Sequence, residues 1–168
     1  MQKIIDKIFK PKYPKESVGR LMTDKAPKAF QDQTVGQVFD ALSGGNGIET
    51  VNYIYIINEE KKLTGVLSLR ELFLYPKEQE IKDLIVTDLV TISPYADQER
   101  AAVLALKHNL KAIPVVDKKG LFLGVMCSDT ILSVLNKEHM GIPSQMVQGL
   151  MIFLSIYTGF ERFLVRKI

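Results

Sequence analysis

The residues best suited to chemistry stand in GVLSLREL (65–72), where Ser68 opens a helix, Arg70 lies in its first turn and Glu71 follows Ser68 by three positions. A hydroxyl and unpaired backbone N–H groups at a helix start suit a phosphate, and a guanidinium adds matching charge. The same Ser-x-x-Glu spacing is a capping box, in which the two side chains satisfy the helix itself and need no ligand. Both readings stay open on the sequence. Elsewhere the usual carriers of catalysis are sparse. Cys127 is the single cysteine, which excludes an internal disulfide, and His108 and His139 are the only histidines. No C-x-x-C or H-E-x-x-H zinc spacing exists. No histidine is placed beside Cys127 by sequence, a buried thiol is inert, and no paired carboxylates converge by spacing, so nothing points to an enzyme. The glycine-rich run 43–47 follows a helix and leads into a strand, whereas a phosphate loop runs from a strand into a helix start. It reads as a connection.

The elements that position these residues come in two copies. Lys111 to Leu135 reads as strand, turn, strand, helix: an apolar run at Ile113–Val116, the turn Asp117-Lys118-Lys119-Gly120, a second run at Leu121–Met126, then a helix from Ser128 to about Glu138. Residues 52–75 slide over this stretch without a gap. Tyr55 falls on Pro114, Ile57 on Val116, Asn58 on Asp117, Leu63 on Phe122 and Gly65 on Gly124, a constant offset of 59. A repeat of that period argues for two copies of one unit facing each other. Upstream, Thr34 and Gln37 have capping-box spacing ahead of Val35, Val38, Phe39 and Leu42, which predicts the first helix. In the second unit the reading predicts a short strand at Leu89–Ile92, a cap at Asp97 or a neighbour, and a helix packing Ala102, Leu104, Ala105 and Leu106. The expected fold is α/β (α+β): tandem strand-helix-strand-strand-helix units about a pseudo-twofold axis. Expected segments are 1–12 (amphipathic helix), 13–78 and 79–138 (the repeats), and 139–168 (an apolar or amphipathic helix).

The 168 residues carry a net charge of +3, unevenly spread. Residues 1–28 hold eight Lys/Arg against three Asp/Glu, and residues 161–168 three against one, which leaves eleven against fifteen between them. A mildly acidic body with basic ends does not offer the basic, aromatic-laced face that nucleic acid requires. The start, MQKIIDKIFK, lacks the apolar core and cleavage site of a signal peptide, so a cytoplasmic location is expected, with the inner membrane face as its extension. Ile4, Ile5, Ile8 and Phe9 form an apolar stripe that suits packing on the body or a partner subunit, or a contact with anionic lipid. Gly149–Phe160 is almost wholly apolar but shorter than the roughly 20 residues that span a bilayer. It reads as a helix covering the body or a dimer seam, an in-plane anchor, or a remnant of a first transmembrane helix.

The doubled unit, with its h-P-V-V-D before the turn and G-h-h-(S/T)-x-x-(D/E) after it, resembles a pair of CBS domains. Five stretches, YPKESVGRLMT (13–23), ETVNYIYII (49–57), GVLSLRELFL (65–74), Asp97-Gln98-Glu99 and IPVVDKKGLFLGV (113–125), are similar in order to the cytoplasmic CBS region of MgtE-type magnesium transporters. That resemblance implies a non-catalytic regulatory module, homodimeric through its repeats, that binds an adenine nucleotide (ATP or AMP) between the units and Mg²⁺ on acidic faces. A stand-alone CBS pair regulating a partner protein is the rival reading. The nucleotide residues it implies are Ser68, Arg70 and Glu71, the last toward ribose hydroxyls, with Tyr55, Leu110, Ile113 and Pro114 as an apolar wall for adenine or simply core. In the second copy Cys127 stands where Ser/Thr is usual and Thr130 where Asp is usual. A thiol is a poor acceptor, so at most one nucleotide per chain is expected. Asp97, Glu99, Asp129 and Glu138 match acidic positions for Mg²⁺, which needs only one or two carboxylates per site, and as caps or solvated surface they need no metal. His108-Asn109 and Thr130 depart from the family's Tyr-Asp and acidic residue.

Overall fold

The computed structural model describes residues 13–44 and 52–137. Thr34 caps the first helix as its spacing predicts. Its hydroxyl accepts from the Gln37 N–H at 3.3 Å, and Gln37 Oε1 accepts from the Thr34 N–H at 2.8 Å. Strand β1 (Lys28–Ala29) precedes this helix, α1 (Val35–Ser43), and β2 (Tyr53–Ile57) and β3 (Leu63–Ser68) follow, ending in α2 (Leu69–Leu72). The second copy holds α3 (Gln98–His108), β4 (Ala112–Val116), β5 (Phe122–Cys127) and α4 (Ser128–Lys137). β1 lies parallel to β2, β2 antiparallel to β3, and β4 antiparallel to β5.

Two elements differ from expectation. No strand forms at Leu89–Ile92. Ile92 alone bridges Val115, its N–H donating to Pro114 O and its carbonyl accepting from the Val116 N–H, both at 3.0 Å. Pro94 follows closely and has no N–H with which to extend a ladder. The closing helices are also unequal. α4 runs ten residues because Ile131, Val134 and Leu135 bury one stripe in the second core. α2 is a single turn that buries Leu72 and leaves the following Phe73 and Leu74 exposed.

Alternation along the strands divides the interior. Ile54, Ile56 and Leu67 point into a core with Val35, Val38 and Leu72, while Ile113, Val115 and Met126 meet Ala101, Ala102, Ala105 and α4. The segment leading into each repeat packs on the other one. Val18 lies in the second core, with Val18 N–H on Ala96 O (2.9 Å) and Gly19 N–H on Pro94 O (2.8 Å). Ile81 lies in the first core, with its N–H on Gln33 O (2.9 Å) and Lys82 N–H on Gln31 O (3.0 Å).

Where the hairpins meet, the seam between the copies obeys the offset of 59. Leu63 N–H donates to Gly120 O at 3.1 Å, and Phe122 N–H donates to Lys61 O at 3.0 Å, so each bond is the image of the other. Thr23 and Val125 exchange two bonds (2.9 and 2.8 Å), and Val66 with Val86 repeats the pattern (3.0 and 2.9 Å). Even the strand irregularities match, at Ile56/Ile57 and Val115/Val116. The expected pseudo-twofold packing is present. The expected terminal helices, 1–12 and 139–168, and the loop 45–51 lie outside the described residues.

Candidate functional site

Ser68 ends β3 and caps α2. Its Oγ accepts from the Glu71 N–H at 3.1 Å and donates to Glu71 Oε2 at 3.3 Å. The serine and glutamate therefore already satisfy one another, as a cap does, while Arg70 on the same turn is exposed. The cap lies at the C-terminal end of β3, the strand whose Leu63 and Val66 bond across the seam.

The apolar residues expected beside them do not form one wall. Ile113 is fully buried in the second core, Leu110 packs partly buried against that core, and Pro114, adjacent to Ile113, points to the opposite face of β4, the face toward the seam. Tyr55 stands in a different cluster, with Ala26 and Val125 and with the partly buried Tyr53, Leu63, Val66, Phe122 and Cys127. Its ring stacks on Phe122 at 4.9 Å between centroids with 22° between planes. By the offset, Cys127 is the mate of Ser68 and Tyr55 the mate of Pro114. Tyr55 therefore belongs to the Cys127 end of the seam, not the Ser68 end.

Tyr55 is 1% exposed, and its hydroxyl has no hydrogen-bond partner among the described residues. Burial, with smaller contributions from Tyr53 and Cys127, drives its phenol far above the ordinary tyrosine value. It remains a neutral hydroxyl throughout the physiological range. Phe122, which holds the ring, escaped sequence reasoning although the offset had already placed it on Leu63. Lys28 adds a cation 5.8 Å from the centre of the Phe122 ring.

The acidic candidates stand apart. Asp97 caps α3, its Oδ1 accepting from the Glu99 N–H at 2.7 Å, and Glu99 and Asp129 sit exposed in the first turns of α3 and α4. Glu138 lies outside the described residues. Among those residues no group of three or more His, Cys, Asp or Glu could hold a metal ion. No helix among them is long and apolar enough to cross a membrane.

Known proteins share this arrangement. A family model described as CBS domain matches residues 18–78 and again residues 81–137. The chain belongs to the CBS domain family. Its CBS pair is 37% identical over 127 residues to magnesium transporter MgtE of Bacillus subtilis (strain 168), a match covering 75% of this chain and 28% of that protein. In three dimensions it is similar to the cytosolic domain of the Mg²⁺ channel MgtE solved in complex with ATP (TM-score 0.71, 31% identity, 73% of this chain and 50% of that one). It is similar as well to the soluble part of a magnesium transporter (TM-score 0.74, 29% identity, 76% and 50%). The CBS pair is thus homologous to the MgtE cytosolic region, and it spans little more than a quarter of the full-length relative.

Proposed function

We propose that this CBS pair is a non-catalytic regulatory module that senses an adenine nucleotide, Mg²⁺ or both, as the cytosolic gating region of an MgtE-type magnesium transporter. The observation that carries this reading is the Ser68–Glu71 cap with the exposed Arg70 on the same turn, at the end of β3, the strand whose Leu63 and Val66 bond across the seam. The likeness to an MgtE cytosolic domain that binds ATP supports it. Ser68 and Arg70 receive phosphate, Glu71 turns from its cap toward ribose hydroxyls, and Pro114 lies against the base. Mg²⁺ joins Asp97, Glu99, Asp129 and Glu138 across a homodimer, because the described acids of one chain do not converge. The module works on the cytoplasmic side of the membrane, linked to a transporter domain through residues 139–168.

Calorimetric titration with ATP, ADP and AMP, each with and without Mg²⁺, tests the proposal. The expected result is saturable binding of about one nucleotide per chain, weakened about tenfold or more in Arg70→Ala, since a charge-assisted bond contributes about 1.5–3 kcal/mol. Absence of binding by all three nucleotides refutes the nucleotide role. If millimolar Mg²⁺ leaves the melting temperature and dimerisation unchanged, the cation role is refuted. Fractionation of the expressed chain away from membranes would favour the stand-alone sensor.

A further inference from the structure

Between residues 52–75 and 111–134 the pseudo-twofold axis gives each residue a mate 59 positions away, and at one place in the seam the mates of an aromatic pair are not aromatic. Tyr55 and Phe122 form a stacked aromatic pair, whereas their mates are Pro114 and Leu63, neither of them aromatic. The Tyr55 ring reaches between the copies. Its cluster joins Ala26, Tyr53, Leu63 and Val66 of the first copy to Phe122, Val125 and Cys127 of the second, and the ring itself stacks on Phe122. Among the described residues its hydroxyl is buried without a partner, and such a group costs about 1–3 kcal/mol. Phenylalanine would fill the same space without that cost, so the ring's bulk is what the packing uses. Beside the ring stands Cys127, where the opposite end has Ser68.

We propose that Tyr55 is a built-in plug: its side chain occupies the Cys127 end of the seam, so that of two pseudo-symmetric positions only the Ser68 end admits an adenine nucleoside. The inference rests on the nucleotide reading above and extends it, making Tyr55 the residue that sets stoichiometry. The weak acceptor at Cys127 lowers affinity at that end, and the plug removes the volume. Phe122 holds the plug in place through the stack.

The test compares adenosine binding by calorimetry in the unsubstituted chain, Tyr55→Ala and Tyr55→Phe, with alkylation of Cys127, the single cysteine, by N-ethylmaleimide as a second readout. In Tyr55→Ala the number of adenosines bound per chain rises by one, or adenosine protects Cys127 from alkylation where it gave no protection before. Tyr55→Phe behaves as the unsubstituted chain. A folded Tyr55→Ala with unchanged stoichiometry and no protection overturns the plug. Should Tyr55→Ala fail to fold, Tyr55→Val is judged by the same criteria. The two readings fail separately: an unsubstituted chain that binds no adenosine counts against the nucleotide reading, while a site gained in Tyr55→Ala would still support the plug.

Discussion

Replacing Gly124 by alanine is expected to destabilise the pair by about 3 kcal/mol or more. A Cβ at this position would stand 2.4 Å from the Thr23 carbonyl oxygen and 3.0 Å from its carbon. Both are backbone atoms, with no flexible side chain to swing aside. Thr23 must therefore retreat from β5, giving up the bond from its own N–H to Val125 O and the bond from Val125 N–H to its carbonyl. Two backbone bonds at about 1 kcal/mol each, plus about 1–3 kcal/mol for overpacking, sum to about 3–5 kcal/mol. The pseudo-symmetric change supplies an internal control. A Cβ on Gly65 would meet Ile85 Cβ and Cδ1 at 3.0 Å and Val86 O at 3.2 Å, a milder conflict than 2.4 Å to a carbonyl oxygen, relieved by a rotamer change at Cδ1 and a shift of a few tenths of an ångström at Ile85 Cβ. Gly65→Ala should cost about 1–2 kcal/mol. Urea unfolding of both variants measures the difference. If Gly124→Ala stays within about 0.5 kcal/mol of the parent, or Gly65→Ala proves the more damaging, the account of how the repeats grip each other's leading segments is wrong.

The hairpin turns and the buried phenol supply two more expectations. Lys61 holds φ at 60° where its mate Gly120 holds 81°, and a left-handed non-glycine residue costs about 1–2 kcal/mol, partly offset by glycine's greater freedom when unfolded. Lys61→Gly should therefore raise stability by up to about 1 kcal/mol while Gly120→Ala lowers it by a similar amount, and a lower melting temperature for Lys61→Gly would contradict this. Tyr55→Phe should equal or exceed the parent's stability at neutral pH, because it deletes a buried hydroxyl that has no partner among the described residues. Folding raises the phenol's pKa above its ordinary 10.0, so the folded chain keeps a proton that the unfolded chain releases. Stability is intact below that pH and falls above it, by up to about 1.4 kcal/mol per pH unit. The variant should lack this part of the alkaline loss, and identical alkaline unfolding curves would show that Tyr55 is not buried as described.

Much of the fold was legible because its signals are local. Thr34 and Gln37 announce their cap by spacing, and Asp117 announces its turn by a side chain whose Oδ1 accepts from the Lys119 and Leu121 N–H groups at 2.8 and 2.9 Å. The strand expected at Leu89–Ile92 failed because one bridging residue makes no ladder, however apolar its neighbours. The candidate site was legible by residue type and only partly by place. Ser68 and Glu71 do meet, three positions apart on one turn. Tyr55, Leu110, Ile113 and Pro114 did not assemble as one wall, since alternation sends Ile113 and Pro114 to opposite faces of β4 and the seam carries Tyr55 to the Cys127 end.

By itself the sequence determined the repeat, its period, the caps and turns, and the absence of zinc-ligand spacing, all of which depend on residues near one another in the chain. Only the tertiary structure decided which copy each leading segment joins and which end of the seam each side chain fills. Those outcomes depend on contacts such as Thr23 with Val125 and Tyr55 with Phe122, between residues far apart in sequence. A pattern of apolar and polar residues states that a face is to be buried. What it is buried against follows from how the two copies close about their axis.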